Sequence, residues 1–283
     1  MSDREYKSFK IFNIAIHNAK NKRLQLSNHL KQSNQSNQSN QPNQSNQIIN
    51  NKESKESNEM IKPKICMGIL TCPNTKKRFD KFMNHHEKWL IENDIKYYII
   101  QSDPTLIGKE EYKIDGNNFY CGCKEAYETL AHKLAIFYGY IYEKTDYTHI
   151  IKVDDGCLLK KENVLNLKNK PYDYCGSLMI PTSNKCHIGK CSDKKYHREL
   201  DFNHGFNYIN NIDRNKLASI KKIEYAGGGY GYCLSRKSLS VIAKYKAHIL
   251  KQELSYEDVI FGQIMYLEGI KPTYYHIGDY HAI

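Results

Sequence analysis

Long apolar runs are missing from this 283-residue sequence. No stretch approaches the roughly 20 residues an α-helix needs to cross a bilayer, so no integral membrane segment is expected. Residues 11–16 are too short and too polar for a signal-peptide core. The nine cysteines are odd in number and scattered, which fits neither a complete disulfide framework nor a small secreted scaffold. A soluble protein of a reducing compartment is the expectation. Also missing are a Cys-x-x-Cys pair, a Gly-Lys-Ser/Thr phosphate loop, a Gly-x-Gly-x-x-Gly turn ahead of a helix, and any base-reading motif.

What is present is enough to fold. Hydrophobic residues make up 40% of the chain and tyrosine supplies 23 side chains, so most of it can bury a core. The formal net charge of +11 raises a nucleic-acid reading. The lysines are spread along the whole chain, however, and a basic groove for a nucleotide diphosphate explains part of the charge equally well. Tyrosines at strand spacing are more often core or sugar-stacking residues than platforms for bases. No nucleic-acid partner is expected.

Composition divides the chain into three. Residues 1–31 have the spacing of a basic amphipathic helix. Residues 32–59 become a Gln/Ser/Asn-rich and then charged stretch with almost nothing to bury, so disorder is expected there. Residues 60–283 carry the pattern of a folded domain. Strands are expected over 65–71, 95–100 and 147–153, and helices over 75–93 and 123–143. The second helix places Ala126, Leu130, Leu134, Phe137 and Ile141 on one stripe. Alternating strands and helices point to an α/β fold with an open, mostly parallel sheet flanked by helices.

In such sheets ligands sit beyond the carboxyl ends of the strands. Asp154-Asp155-Gly156 falls at one of these ends. Two adjacent carboxylates repel unless a cation or donor groups occupy the site, and a divalent ion bridging them to a diphosphate would answer that. An ordinary Asp-Gly turn is the bland alternative. Gly227-Gly228-Gly229 ahead of a short apolar strand lets the backbone approach a neighbour closely, or is simply a turn. Glu257-Asp258 opens a helix running towards Gly269. There Asp258 either completes a capping box with Ser255 or acts as a general base. A zinc module is the non-enzyme alternative, drawing on Cys186, His187, Cys191 and His197, or on Cys121 and Cys123.

Taken in order over residues 65–270, these segments resemble the β-1,3-glycosyltransferases of glycosyltransferase family 31, the galactosyl-, N-acetylglucosaminyl- and fringe-type enzymes. Ile69-Leu70-Thr71 with Arg78 and Trp89 is similar to the family's opening strand and Arg…Trp helix. Tyr127-Glu128-Thr129-Leu130-Ala131-His132-Lys133 is similar to its Tyr-x-Asn-Leu-Thr-x-Lys helix. Lys152-Val153-Asp154-Asp155-Gly156 falls on its Lys-x-Asp-Asp-Asp motif. The Gly227 to Ser235 segment falls on its Gly-Gly-Gly-Tyr-x-x-Ser, and Glu257-Asp258-Val259 with Gly262 on its Glu-Asp-Val-x-x-Gly.

The resemblance implies a GT-A fold and inverting transfer from a UDP-sugar to a hydroxyl of a glycan or glycoprotein, forming a β-1,3 linkage. It makes Asp258 the catalytic base. It assigns Arg78, Lys133, Asp154, Asp155, Gly227, Gly228 and Gly229 to the donor, and Tyr230 and Glu257 to the acceptor side. Mn²⁺ or Mg²⁺ is the implied cofactor, held by Asp154 and Asp155 with His276 or His281 completing the set. The chain departs from the family at Gly156, where a third aspartate is usual, at Thr129, where asparagine is usual, and in showing no N-terminal membrane anchor. A retaining transferase of the same architecture is the nearest enzymatic alternative.

Overall fold

A computed structural model describes residues 63–170, 172–179, 224–251, 257–280 and 282. All belong to one compact unit, Glu59–Ile283. The expectations for residues 1–31 and 32–59, for Ser255, for His281 and for the Cys186–His197 cluster lie outside the described residues.

The strands are β1 (Ile65–Leu70), β2 (Lys96–Ser102), β3 (Tyr112–Asp115), β4 (Asn118–Cys121), β5 (His149–Asp154), β6 (Leu158–Leu159), β7 (Tyr174–Gly176), β8 (Leu178–Met179), β9 (Tyr225–Ala226), β10 (Tyr232–Ser235), β11 (Thr273–Tyr274) and β12 (Gly278–Asp279). The helices are α1 (Lys76–Glu92), α2 (Leu130–Lys144), α3 (Lys161–Asn166), α4 (Arg236–Leu250) and α5 (Glu257–Leu267). Eight strands form one sheet in the order β11-β7-β10-β5-β1-β2-β4-β3. Pairing is parallel except where β10 lies between β7 and β5 and where β3 closes a hairpin with β4. The result is an α/β fold on a mixed, mostly parallel sheet.

Strands of a sheet covered on both faces read as continuous apolar runs, and β1 is buried at every position. Successive side chains still alternate between faces. Ile65, Met67 and Ile69 join one core with Phe82 and Leu90 of α1 and Val164 of α3. Cys66 and Leu70 join the opposite core with α2, α4 and α5. Gly68 makes room on that second face, since a Cβ there would lie 2.7 Å from the Phe137 ring of α2. The sheet is therefore flanked by helices on both sides.

The first expected helix matches α1 closely. The second starts later than its hydrophobic stripe suggests: Ala126 is extended, Tyr127–Thr129 is a single 3-10 turn, and the α-helix begins at Leu130. Polar anchoring overrides the periodicity there. Thr129 Oγ1 donates to the carbonyls of Lys124 and Ala126, and Glu125 Oε2 accepts from the Ser102 amide. Helix α4 and the β3–β4 hairpin lie beyond the elements expected from the sequence. Among the described residues no helix is long and apolar enough to cross a membrane.

Candidate functional site

Strand register assembles the site. Leu70 of β1 pairs with Asp154 of β5, so the next residues, Thr71 and Asp155, leave the same sheet edge side by side. The antiparallel β10 sets Tyr232 opposite Lys152, which brings the glycine segment preceding β10 to that edge as well. Loops after two parallel strands thus meet the loop before a reversed one.

Asp155 is 1% exposed and fully engaged. Its Oδ1 accepts from Arg78 Nε at 2.6 Å and lies 2.5 Å from Arg78 Nη2. Its Oδ2 accepts from Thr71 Oγ1 at 2.7 Å and also from Thr75 Oγ1. Its own amide donates to the Leu70 carbonyl. The carboxylate therefore ties the end of β1 to the first turn of α1, and carries a guanidinium whose side chain is 36% exposed.

Lys152 is the hub of the other half. Its ammonium, on a side chain only 1% exposed, donates to Asp154 Oδ1 at 2.7 Å, to Glu257 Oε1 at 2.9 Å and to the Gly228 carbonyl at 3.3 Å. It also lies 5.5 Å from the centre of the Tyr232 ring. Three partners use all three ammonium donors. Burial opposes the charge, but Asp154 and then Glu257 outweigh it and hold the ammonium well above its ordinary range. Beneath it, Tyr138 and Tyr232 share a buried hydroxyl–hydroxyl bond of 2.8 Å.

Asp258 sits in the first turn of α5. Its Oδ2 accepts from the Gly228 amide and its Oδ1 from the Val259 amide, both at 2.9 Å. Burial, and then the neighbouring Glu257, push its carboxyl up to about 7, against the pull of those two amides and of Lys152. That upward shift suits a general base, whose carboxyl must take up a proton and give it back near the working pH.

Gly228 lies between the two acidic residues and the lysine. Its amide holds Asp258 and its carbonyl receives Lys152. A Cβ on Gly228 would collide with Glu257 Oε1 and lie 3.0 Å from Lys152 Nζ. One on Gly229 would collide with the Tyr280 ring, and one on Gly227 would come 2.9 Å from Met179 Cγ. The glycines are thus packed against the chain's own side chains. The segment is held by the Ala226 amide donating to Tyr174 Oη and the Gly227 amide to the Ser177 carbonyl. Tyr230 and Tyr280 face each other with ring centres 5.6 Å apart.

The remaining expected residues divide. Lys133 is buried and donates to Glu125 Oε1 at 2.7 Å and to the Thr71 carbonyl. It braces the end of β1 from beneath. His276 bonds Asp279 Oδ1 at 2.8 Å, and Asp279 also pairs with Lys160. His276, Asp154 and Asp155 do not form a ligand set: among the described residues no group of three or more His, Cys, Asp or Glu side chains is arranged to hold a metal ion. Cys121 and Cys123 are buried, and burial raises both thiols, which opposes the thiolate form that zinc needs. All seven described cysteines are free.

Two contributors lie outside every motif of the sequence. Thr75 joins Thr71 in completing the Asp155 cluster, and Tyr280 covers Gly229. Lys152 had a signal, being a charge set between Ile150, Ile151 and Val153 in a buried strand. No family model matches the chain, and a search of curated proteins gives no match.

Proposed function

We propose that this chain is an inverting glycosyltransferase of the GT-A type, moving a sugar from a UDP-sugar onto a hydroxyl of a glycan or glycoprotein. The observation that carries the reading is the convergence of two acidic segments, Asp154–Asp155 and Glu257–Asp258, on Lys152 and Gly228 at the carboxyl edge of the sheet. Binding beyond that edge is the general habit of open α/β sheets. The family 31 resemblance supplies the chemistry and the β-1,3 linkage.

In the proposed reaction Asp258 accepts the proton of the acceptor hydroxyl. The oxygen forms its bond to the anomeric carbon from the face opposite the leaving group. The bond from that carbon to the diphosphate oxygen breaks, and its electron pair departs with UDP. Each oxygen of Asp258 accepts one backbone N–H, and a carboxylate offers about four lone-pair positions, so capacity remains for a substrate proton. Those amides also fix the carboxylate's orientation, which general-base catalysis requires.

The resemblance implies Mn²⁺ or Mg²⁺, but the described residues do not suit a resident divalent ion. Asp155 is engaged by Arg78 and two threonines, Asp154 gives Oδ1 to Lys152, and Gly156 offers no side-chain oxygen, so the turn leaves Oδ2 of Asp154 as its open carboxylate oxygen where a hard cation takes about six ligands. No step above runs through a metal.

A panel of UDP-sugars, read first by thermal stabilisation and then by sugar release with and without acceptor, tests the proposal. Stabilisation by one UDP-sugar and a product of inverted configuration are expected. Retained configuration would replace the single displacement, and indifference to every nucleotide sugar would remove the reading.

A further inference from the structure

The Asp154–Asp155 turn meets its own charge with side chains of the chain. Asp155 carries Arg78, Asp154 carries Lys152, and His276, the candidate histidine among the described residues, bonds an aspartate that is itself paired with Lys160. Adjacent carboxylates need compensating positive charge, and here a guanidinium and an ammonium provide it. We propose that this chain holds the diphosphate of its donor without a divalent cation, the positive charge offered to the phosphates coming from Arg78 in contact with them. The inference rests on the nucleotide-sugar reading of the site.

A hard cation collects oxygen ligands whose lone pairs are open to it. To recruit Asp155, an ion must displace Arg78 from Oδ1 or Thr71 and Thr75 from Oδ2, on a carboxylate that is 1% exposed. The first strips the guanidinium of its partner and the second loosens the tie between β1 and α1. Through Oδ1 of Asp154 it must take one of the two carboxylates that neutralise a buried ammonium, and through Oδ2 it gains a single oxygen where a hard cation takes about six ligands. Removing a partner from a buried charge is strongly unfavourable. Gly156 supplies nothing to offset either loss.

Arg78 suits the alternative role. Of its five N–H donors two go to Asp155, and about a third of the side chain is exposed. Guanidinium matches the spacing of phosphate oxygens and stays charged at any working pH. Asp155 holds it in place, so its orientation needs no reorganisation when a diphosphate arrives. Lys152 has all three donors committed inside the protein and is neutralised by Asp154 and Glu257, so its part is to hold the turn together.

Calorimetric titration of the full chain with UDP, once in EDTA and once in excess Mn²⁺, tests this directly. Binding in EDTA at least as tight as in Mn²⁺ is expected, since UDP complexed by Mn²⁺ in solution is withdrawn from a site that takes the free diphosphate. Paramagnetic resonance of Mn²⁺ added to the protein should show the free-ion spectrum, with UDP absent or present in amounts that leave little Mn²⁺ complexed in solution. Arg78→Gln should weaken UDP in EDTA at least about tenfold, the order lost with one charge-assisted contact, and Arg78→Lys should recover part of it. Binding that appears only with Mn²⁺, or stoichiometric Mn²⁺ capture abolished by Asp154→Asn, overturns the inference and leaves the transferase reading standing. Absence of UDP binding in both buffers overturns the two together. The wild-type comparison decides the matter even if the Arg78 variants fail to fold.

Discussion

Lys152 and Glu257 are 105 positions apart in the chain and 2.9 Å apart in space. The contact joins the strand that delivers Asp154 to the helix that delivers Asp258. A buried ammonium between two carboxylates contributes little net stability compared with apolar packing, but losing one member is costly. Lys152→Met should therefore destabilise the fold by roughly 3–5 kcal/mol, seen as a lower urea midpoint with an unchanged slope. A loss below about 1 kcal/mol would mean that the ion pair does not hold the two segments together.

Asp258→Asn keeps the size of the side chain and removes its basicity. Transfer is expected to fall by about 10²–10⁴-fold, the usual worth of a positioned general base. UDP affinity should change less than about threefold, since no phosphate contact is assigned to Asp258. Single-turnover rates with calorimetry of the same sample separate the two effects. Normal turnover would remove Asp258 from its role.

The pH dependence has a definite sign. Burial and Glu257 raise the Asp258 carboxyl to about 7, and the base form is the deprotonated one. Log kcat/KM should fall with unit slope as pH drops below about 7. Stability should move the other way. The native state favours the protonated acid more than the unfolded chain does, so this group's contribution is full below the ordinary carboxylate range and is lost as pH rises through about 7. Thermal melts of wild type and Asp258→Asn across that range should diverge upward in pH, with the wild type losing ground.

Two glycine substitutions discriminate a packed glycine from a merely turned one. Gly116 adopts φ +60° with nothing within 4 Å of an added Cβ, so Gly116→Ala should cost only the backbone strain, about 1 kcal/mol. Gly228→Ala drives a methyl into Glu257 and towards Lys152. It should cost about 1–3 kcal/mol more and lower transfer by displacing the amide that holds Asp258. Denaturation midpoints measured side by side give the ranking. Equal costs would show that the glycine segment yields without disturbing the acidic pair.

The apolar run of β1 and the Phe82, His86 and Leu90 spacing of α1 follow from local chemistry, and the sequence locates both within a residue or two. The adjacency of Asp154, Asp155 and Gly156, and their place at a strand end, are likewise written in the chain. The start of α2 was not, because side-chain bonds from Thr129 and Glu125 to distant or preceding backbone outweigh the stripe that Ala126 begins. Least legible of all was the pairing of charges. Sequence set down two neighbouring aspartates and left the cation open. Only the register of β5 against β1 and β10 decided that Arg78 meets Asp155 and Lys152 meets Asp154 and Glu257. Coulomb energy depends on separation through space and on burial, and neither exists until strands distant in the chain have paired.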